Sequence, residues 1–270
     1  MDVNKAWDRL YTQLVDEQLI DQTEKIVVMP FFTKMKWAAT IVVLCVLGGA
    51  VGLYLSSINE NNLLVSIHNN DISNILVKTL EDGSVVYLAG GATLTCPERF
   101  AGNKRQVSLQ GDALFDIHSG KDCPFLIETE PVLVEVMGTT FNIKTADKNS
   151  FELSVQHGLV KVTLKATGDH IFVETGETVR LNDHLQLLKE PQQFARYTEK
   201  MCFKDERLDN IVHVINKISD KPIFFSDNAL KNREITITFS NNTVEEMVGL
   251  LCAVLDLKYT DDEKEIIIGR

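Results

Sequence analysis

The chain has 270 residues, with 27 Lys and Arg against 38 Asp and Glu, a formal net charge of −11. This acidic balance argues against nucleic acid or an anionic lipid surface as the main partner of its water-soluble part. The 5 cysteines include no C-x-x-C pair, which argues against a zinc knuckle or a thioredoxin-type site. Four of them follow residue 58, two in each half of that region, and indicate either one disulfide in each half or, as we favour, buried free thiols.

Residues 1–36 predict an amphipathic helix near the start of the chain. Trp7, Leu10, Tyr11 and Leu14 recur at helical spacing and form one apolar face, while the opposite face is acidic. A segment this short does not bury enough surface to fold alone, so it lies against a protein or against a membrane leaflet. Because acidic side chains disfavour an anionic leaflet, we expect a protein groove that receives the helix. The alternative is a weakly ordered tether.

Residues 37–58 form a run without a charged side chain, which no other segment matches. As a helix rising about 1.5 Å per residue, the run covers roughly 33 Å, enough to cross the core of a bilayer. Lys34 and Lys36 precede it, and no Lys or Arg follows it until Lys78. Since positively charged residues stay in the cytoplasm, we expect residues 1–36 to lie inside the cell and the rest to be exported. A cleaved signal peptide fits poorly, because the preceding segment is long and acidic and the apolar run is too long.

Three glycines lie within the predicted span. Gly48 and Gly52 form a small-xxx-small pair that lets two helices approach closely. Together with Gly49 they also loosen the helix, as the substrate of an intramembrane protease requires. The alternative is that glycine is simply common in membrane helices.

Residues 70–189 predict an all-β domain of short strands. Most segments alternate apolar and polar residues, which is typical of half-buried strands. Ten of the 15 glycines fall between Gly83 and Gly176, mostly in turn-like contexts. The pattern is compatible with a sandwich or with a stacked roll.

A polar, Pro-containing linker over 190–199 leads to a predicted α+β domain over 200–270. From Leu208 onward, apolar residues recur at helical spacing. Thr243 and Glu246 have the spacing of a capping box, in which each side chain binds the backbone amide of the other residue, and an apolar helix follows them. We expect the order β-α-β-β-α-β, with the helices packed on one sheet.

Catalytic motifs are missing from the sequence. The 6 histidines are scattered, and neither an H-E-x-x-H pair nor a G-x-S-x-G elbow occurs. We therefore expect no enzyme activity, no metal site and no cofactor.

The central region resembles the FecR-like transmembrane anti-sigma regulators of Gram-negative bacteria. The most specific segment is VEVMGTTFNI (134–143), with the pattern V-x-V-x-G-T-x-F-N. The other matching segments are DGSVVYL (82–88), PERF (97–100), VSLQGDALFDI (107–117), PFLIET (124–129), HGLVKV (157–162) and ETGETV (174–179). The last 70 residues resemble the small domain that follows in Bacteroidetes members, which is similar to the short N-terminal signalling modules of secretins and TonB-dependent transporters.

The resemblance implies a single-pass inner-membrane protein with a cytoplasmic N-terminus and periplasmic C-terminal domains. The partner of the N-terminal helix is then an extracytoplasmic-function sigma factor, and the periplasmic partner is the signalling domain of an outer-membrane TonB-dependent transporter. Intramembrane and periplasmic proteases are possible further partners, and no direct contact with nucleic acid is implied. A partner strand is expected to pair with an exposed strand edge carrying Glu234, Thr236 and Thr238. The alternative is that this strand is central and only contributes to the core.

A second class of function competes with this interpretation. A membrane-anchored β domain could bind a cell-wall or imported glycan without any sigma factor. Such a site favours aromatic platforms, whereas the exported portion contains no tryptophan and its aromatic residues mostly alternate within strands, as core residues do.

Overall fold

The computed structural model describes residues 3–17, 45–49, 63–100, 104–120, 123–145, 150–189 and 194–269. The chain divides into two compact units, 1–61 and 62–270. In the first unit a helix, α1, extends over Val3–Asp16 and confirms the N-terminal helix expected from the sequence. Of the predicted span only 45–49 is described, and it is helical; Gly52 lies outside the described residues. No helix within the described residues is long and apolar enough to cross a membrane.

In its described residues the second unit contains nineteen strands and four short helical segments. The strands are β1 Leu64–His68, β2 Ile75–Thr79, β3 Val85–Leu88, β4 Thr93–Pro97, β5 Arg105–Gln110, β6 Ala113–Asp116, β7 Phe125–Glu128, β8 Val132–Val136, β9 Thr140–Lys144, β10 Phe151–His157, β11 Leu159–Leu164, β12 His170–Glu174, β13 Thr178–Leu181, β14 Leu185–Leu188, β15 Lys200–Arg207, β16 Ile223–Phe225, β17 Glu234–Ser240, β18 Lys258–Asp261 and β19 Ile266–Gly269. The helices are α2 Arg196–Glu199, α3 Leu208–Asn216, a 3-10 helix Asn228–Asn232 and α4 Val244–Leu255.

The first fourteen strands form a sandwich, one of the two architectures that the sequence allowed. One sheet has the order β1-β4-β5-β7-β8-β11-β12, and the facing strands have the order β14-β13-β10-β9-β6-β3-β2. A single core lies between them and takes side chains from both sheets, among them Phe115 of β6 and Phe125 of β7. Strands such as β8, Val132–Val136, alternate buried and half-buried residues because successive side chains point to opposite faces of a sheet.

The glycine in the V-x-V-x-G-T-x-F-N segment is required by close packing. A Cβ atom on Gly138 would lie 2.7 Å from the Cα atom of Ser119, a distance that backbone atoms do not tolerate. In the same segment Phe141 is fully buried and stacks on Phe115, with their ring centroids 5.4 Å apart. The segment therefore fixes how β9 and the β8–β9 turn fit against the loop after β6.

A buried arginine closes one end of the sandwich. The Arg105 guanidinium donates to Asp82 Oδ2 (2.7 Å), to the His118 carbonyl (2.9 Å) and, through Nη2, to the Cys123 carbonyl (2.9 Å). It also lies over the Phe125 ring, 5.4 Å from the centroid. Two loops, the β2–β3 turn and the β6–β7 loop, are thereby tied to one side chain, whose buried charge is balanced by Asp82.

The C-terminal module departs from the single sheet expected from the sequence. Its strands number five in the order β-α-β-β-α-β-β, and they divide between two sheets. β15 pairs in parallel with β2 and antiparallel with β17, so these two strands extend the sandwich sheet to nine strands. β16, β19 and β18 form a separate sheet. The expectation was wrong because β2 has a free edge that satisfies the backbone of β15, which a sequence pattern does not reveal.

The second part of the segment expected to be a linker, residues 194–199, packs on the folded unit. Residues 190–193 lie outside the described part of the chain. Phe194 packs on a second apolar core, which includes Tyr197 and Met201, and α2 follows it. Tyr197 of α2 is fully buried. The end of the linker is therefore attached to the folded unit. All five cysteines, at 45, 96, 123, 202 and 252, are free thiols. Of the four that follow residue 58, Cys96 and Cys252 are buried as expected, whereas Cys123 and Cys202 are half-buried.

Candidate interaction surfaces

The first candidate surface is the apolar face of α1. Trp7, Leu10 and Tyr11 are exposed, Trp7 by 65% of its surface, and Leu14 beside them is half-buried. Large apolar side chains gathered on one side of an exposed helix are typical of a surface that a protein groove covers. The structure thus brings together the four residues singled out from the sequence.

The second candidate surface is β17, which lies at the edge of the nine-stranded sheet and pairs with β15 only. At one end the Asn241 amide donates to the Glu199 carbonyl (2.7 Å), and at the other end the Leu208 amide donates to the Arg233 carbonyl (2.8 Å). Because peptide groups alternate in direction along an antiparallel strand, these two bonds identify which residues of β17 face β15 and which face outward.

The outward-facing peptide groups belong to Glu234, Thr236 and Thr238. Their side chains are exposed as well, while Ile235 and Phe239 between and beside them are buried. The strand contains no Lys and no Pro, the residues with which proteins usually protect a sheet edge. The strand is therefore at the edge and not central, and it can accept a further strand.

The edge is continuous with the sandwich through a buried contact between the two modules. Tyr87 and Leu114 of the sandwich belong to the same apolar core as Tyr197 and Met201. Burial is the main cause that raises the pKa of the Tyr87 hydroxyl, so the group stays uncharged. Each such side chain contributes about 1.5–3 kcal/mol when fully buried, so the two modules are stabilised as one body.

Two ion pairs join the same modules. Lys78 Nζ of β2 lies 2.7 Å from Glu206 Oε2 of β15, and Glu206 is 2% exposed. Lys217, just after α3, lies 2.6 Å from Asp116 at the end of β6. Sequence analysis missed these pairs, since isolated charged residues in alternating strands are most often solvated.

The span glycines are the third set of candidate residues. An added Cβ on Gly48 or Gly49 would meet no atom within 4 Å. This free space is compatible with helix packing by an external partner, and their role stays a prediction.

The described residues contain no group of three or more side chains suited to hold a metal ion. An open depression of about 540 Å³ lies beside the β7–β8 turn, with Glu128, Lys165 and Thr129 in its lining. The hydrogen bond from Lys165 is the largest cause that lowers the pKa of Glu128. A carboxylate held ionised by a lysine is not protonated near neutral pH, so Glu128 is unsuited to act there as a general acid.

Comparisons with known proteins identify the family. Residues 72–161 match the family described as FecR protein, and residues 200–268 match the one described as FecR, C-terminal. Together these matches cover more than half of the chain. The chain therefore belongs to the FecR family, as expected from the sequence.

Two crystal structures of a proposed anti-sigma factor from Parabacteroides distasonis ATCC 8503 are similar to this chain. The structure at 2.50 Å shares 22% identity and covers 77% of this chain and 99% of its own, with a TM-score of 0.45. The structure at 1.65 Å shares 22% identity and covers 76% and 99%, with the same TM-score of 0.45. A search of the curated proteins found no match.

Proposed function

We propose that this FecR-family chain is an anti-sigma factor and a single-pass transducer of the bacterial inner membrane. Its N-terminal helix holds an extracytoplasmic-function sigma factor in the cytoplasm, and residues 62–270 receive a signal in the periplasm. The observation that carries the proposal is the exposed apolar face of α1 in a chain of the FecR family. The uncharged run 37–58 supplies the connection across the bilayer.

The signal enters at the edge of β17 in this proposal. The signalling domain of an outer-membrane TonB-dependent transporter adds a strand beside Glu234, Thr236 and Thr238. Because β17, β15 and β2 belong to one sheet, a strand that binds to the β17 edge acts directly on the sheet of the sandwich. Transmission requires that the partner bind two states of the protein with different affinity. Packing or cleavage of the span at Gly48, Gly49 and Gly52 is the step through which the sigma factor is released.

The cytoplasmic half of the proposal is tested by substituting charged residues into the apolar face of α1. We expect the full chain carrying Trp7→Asp and Leu10→Asp to lose its sigma factor in pull-downs from the native host and to release transcription of the target genes. The matched control carries Arg9→Asp and Gln13→Asp, which lie on the opposite side of the same helix. Equal sigma-factor capture by both variants, at normal membrane levels, would show that α1 is only a tether.

The periplasmic half is tested separately by Thr238→Pro, which removes an outward-facing N–H group and no bond to β15. We expect this variant to keep the sigma factor bound and to lose induction by the transporter's substrate. Normal induction would exclude β17 as the receiving edge.

A further inference from the structure

The start of β1 exposes three consecutive apolar side chains. Leu63 and Leu64 are each exposed by 69% of their surface, and Val65 is exposed as well. Val65 pairs with the buried Cys96, so it stands on the core side of the sheet, while Leu64 pairs with Pro97 and stands on the outer side. An exposed apolar run on both faces of a strand departs from the pattern of a water-soluble sheet and calls for a functional explanation.

This apolar run is held firmly on the sandwich. β1 is an edge strand of the seven-stranded sheet and pairs with β4 from Leu64 to His68. The Glu98 amide also donates to the Leu63 carbonyl (3.0 Å), so the residue before the strand is fixed as well. Farther along β1, Ile67 packs against the core of the sandwich. The exposed side chains therefore belong to the folded sheet.

The apolar surface continues along the same end of the sandwich. Strand register places the start of β1, the end of β4, the starts of β5 and β7, the end of β8 and the start of β11 at this end. Met137 directly follows β8 and Leu159 begins β11, and both side chains are exposed. At the opposite end, between β1 and β2, Ile72 is 88% exposed and supplies a matched residue for comparison.

The sequence connects the start of β1 closely to the predicted membrane span. The uncharged run ends at Ile58, and residues 59–62 separate it from Leu63. Five Cα–Cα steps of at most about 3.6 Å each limit the distance between Ile58 and Leu63 to roughly 18 Å. The headgroup layer beside the hydrocarbon core is itself about 5–8 Å thick. The span therefore keeps the start of β1 close to lipid, and this proximity favours even a weak apolar contact.

The described charged side chains beside the start of β1 are of mixed sign. Glu98 and Arg99 follow β4, Lys104 precedes β5, and Arg99 lies 3.9 Å from Glu81. Such a surface has no strong attraction to anionic lipid, so a contact with the bilayer depends on burial of apolar side chains. A strand paired with β1 would cover its edge and leave the side chains on both faces in water, whereas a lipid surface surrounds both faces.

We propose that the start of β1 is a membrane-contact site, with Leu63, Leu64 and Val65 inserted into the headgroup layer of the leaflet from which the span emerges. Met137 and Leu159 extend the apolar surface at the same end of the sandwich. The contact fixes which end of the sandwich faces the bilayer. This inference rests on the membrane span of the proposed function and is independent of the sigma factor and of the β17 edge.

The test measures quenching of single tryptophans by brominated lipid, with the full chain in phosphatidylcholine nanodiscs. The chain has 2 tryptophans, Trp7 and Trp37, and both are replaced by Phe. One probe is then introduced as Leu64→Trp, and the matched control is Ile72→Trp at the opposite end of the sandwich. We expect brominated lipid to quench Leu64→Trp about twofold more strongly than Ile72→Trp, because an indole at headgroup level contacts the lipid.

A second pair of variants tests whether apolar burial causes the contact. Leu63→Asp added to the Leu64→Trp protein should lower its quenching, because a carboxylate disfavours insertion into lipid. Ile72→Asp added to the same protein is the matched control and should leave its quenching unchanged. Unchanged quenching in both would overturn the proposal, since the tether alone would then hold the probe near the lipid.

Quenching of Trp37 in a Trp7→Phe protein distinguishes this inference from the proposed span. If Trp37 is quenched while Leu64→Trp and Ile72→Trp are quenched equally, the membrane contact is overturned and the span is retained. If Trp37 is not quenched, the span is wrong and the membrane contact is wrong with it. Blue-shifted emission from Leu64→Trp without quenching would also overturn the contact, because a protein surface, such as a second copy, would then cover β1.

Discussion

The ion pair between Lys78 and Glu206 tests whether the sandwich and the C-terminal module form one body. Lys78→Met keeps the length of the side chain and removes its ammonium group. Glu206 is 2% exposed, while Lys78 is 32% exposed. Without the lysine, the carboxylate keeps the Asn210 Nδ2 donor at 2.5 Å and loses the ammonium group that lies 2.7 Å from its Oε2.

Breaking a buried ion pair by removing one partner costs about 3–5 kcal/mol. Because Lys78 is partly in contact with water, which screens the pair, we expect a smaller loss of about 2–3 kcal/mol in the free energy of unfolding. The measurement is urea unfolding of residues 62–270, followed by circular dichroism. The matched control is Lys161→Met in the same domain, whose partner Glu135 lies 3.3 Å away and whose pair is more exposed on both sides. That change should cost about 0–1 kcal/mol.

A second variant separates lost charge from lost packing. Adding Glu206→Leu to Lys78→Met removes the unpaired carboxylate, and most of the stability should return. The reasoning fails if Lys78→Met and Lys161→Met cost the same, or if the double variant is less stable than Lys78→Met alone.

Three further predictions concern stability in residues 62–270. In α4, Gly249→Ala should stabilise the protein by about 0.5–1 kcal/mol in urea unfolding, because an added Cβ meets no atom within 4 Å and Ala has the higher helix propensity. Thr243→Ala should destabilise the same helix by about 1 kcal/mol, because it removes the hydroxyl that accepts from the N3 amide; an unchanged urea midpoint would contradict the cap. Burial by itself raises the pKa of the Glu152 carboxyl, but the hydrogen bonds from Lys144 and Arg180 outweigh burial, so the pKa is lowered overall. The carboxylate therefore adds stability above the unfolded pKa, and this contribution is lost as pH falls through the lower folded pKa; the stability difference between wild type and Glu152→Gln should vanish in acid.

Local patterns predicted local features well. The capping box at Thr243 is present as expected, with the hydroxyl accepting from the Glu246 amide (3.3 Å) and the carboxylate accepting from the Thr243 amide (2.9 Å). The alternating segments are strands, and the spacing of Trp7 and Leu10 predicted a helix that exists. These features depend on residues three or four positions apart, so the sequence contains the necessary information.

Partner strands were not predictable in the same way. The sequence left β17 as either an edge or a central strand, and it placed all strands of the C-terminal module in one sheet. The pairing of β15 with β2 decides the second question, and the place of β17 at the end of the nine-stranded sheet decides the first. Main-chain hydrogen bonds carry no side-chain signature, and the residues that pair here are far apart in the chain.

The sequence by itself determined the FecR family, the strand-rich middle, the α+β end and the amphipathic helix at the start. Each of these follows from periodicity, turn residues or an ordered series of motifs. Only the tertiary structure decided that the two folded modules share one sheet, that Glu206 is buried against Lys78, and that the β17 edge is open. The reason is physical: periodicity tells which face of an element is buried, whereas edges and ion pairs depend on which distant element covers it.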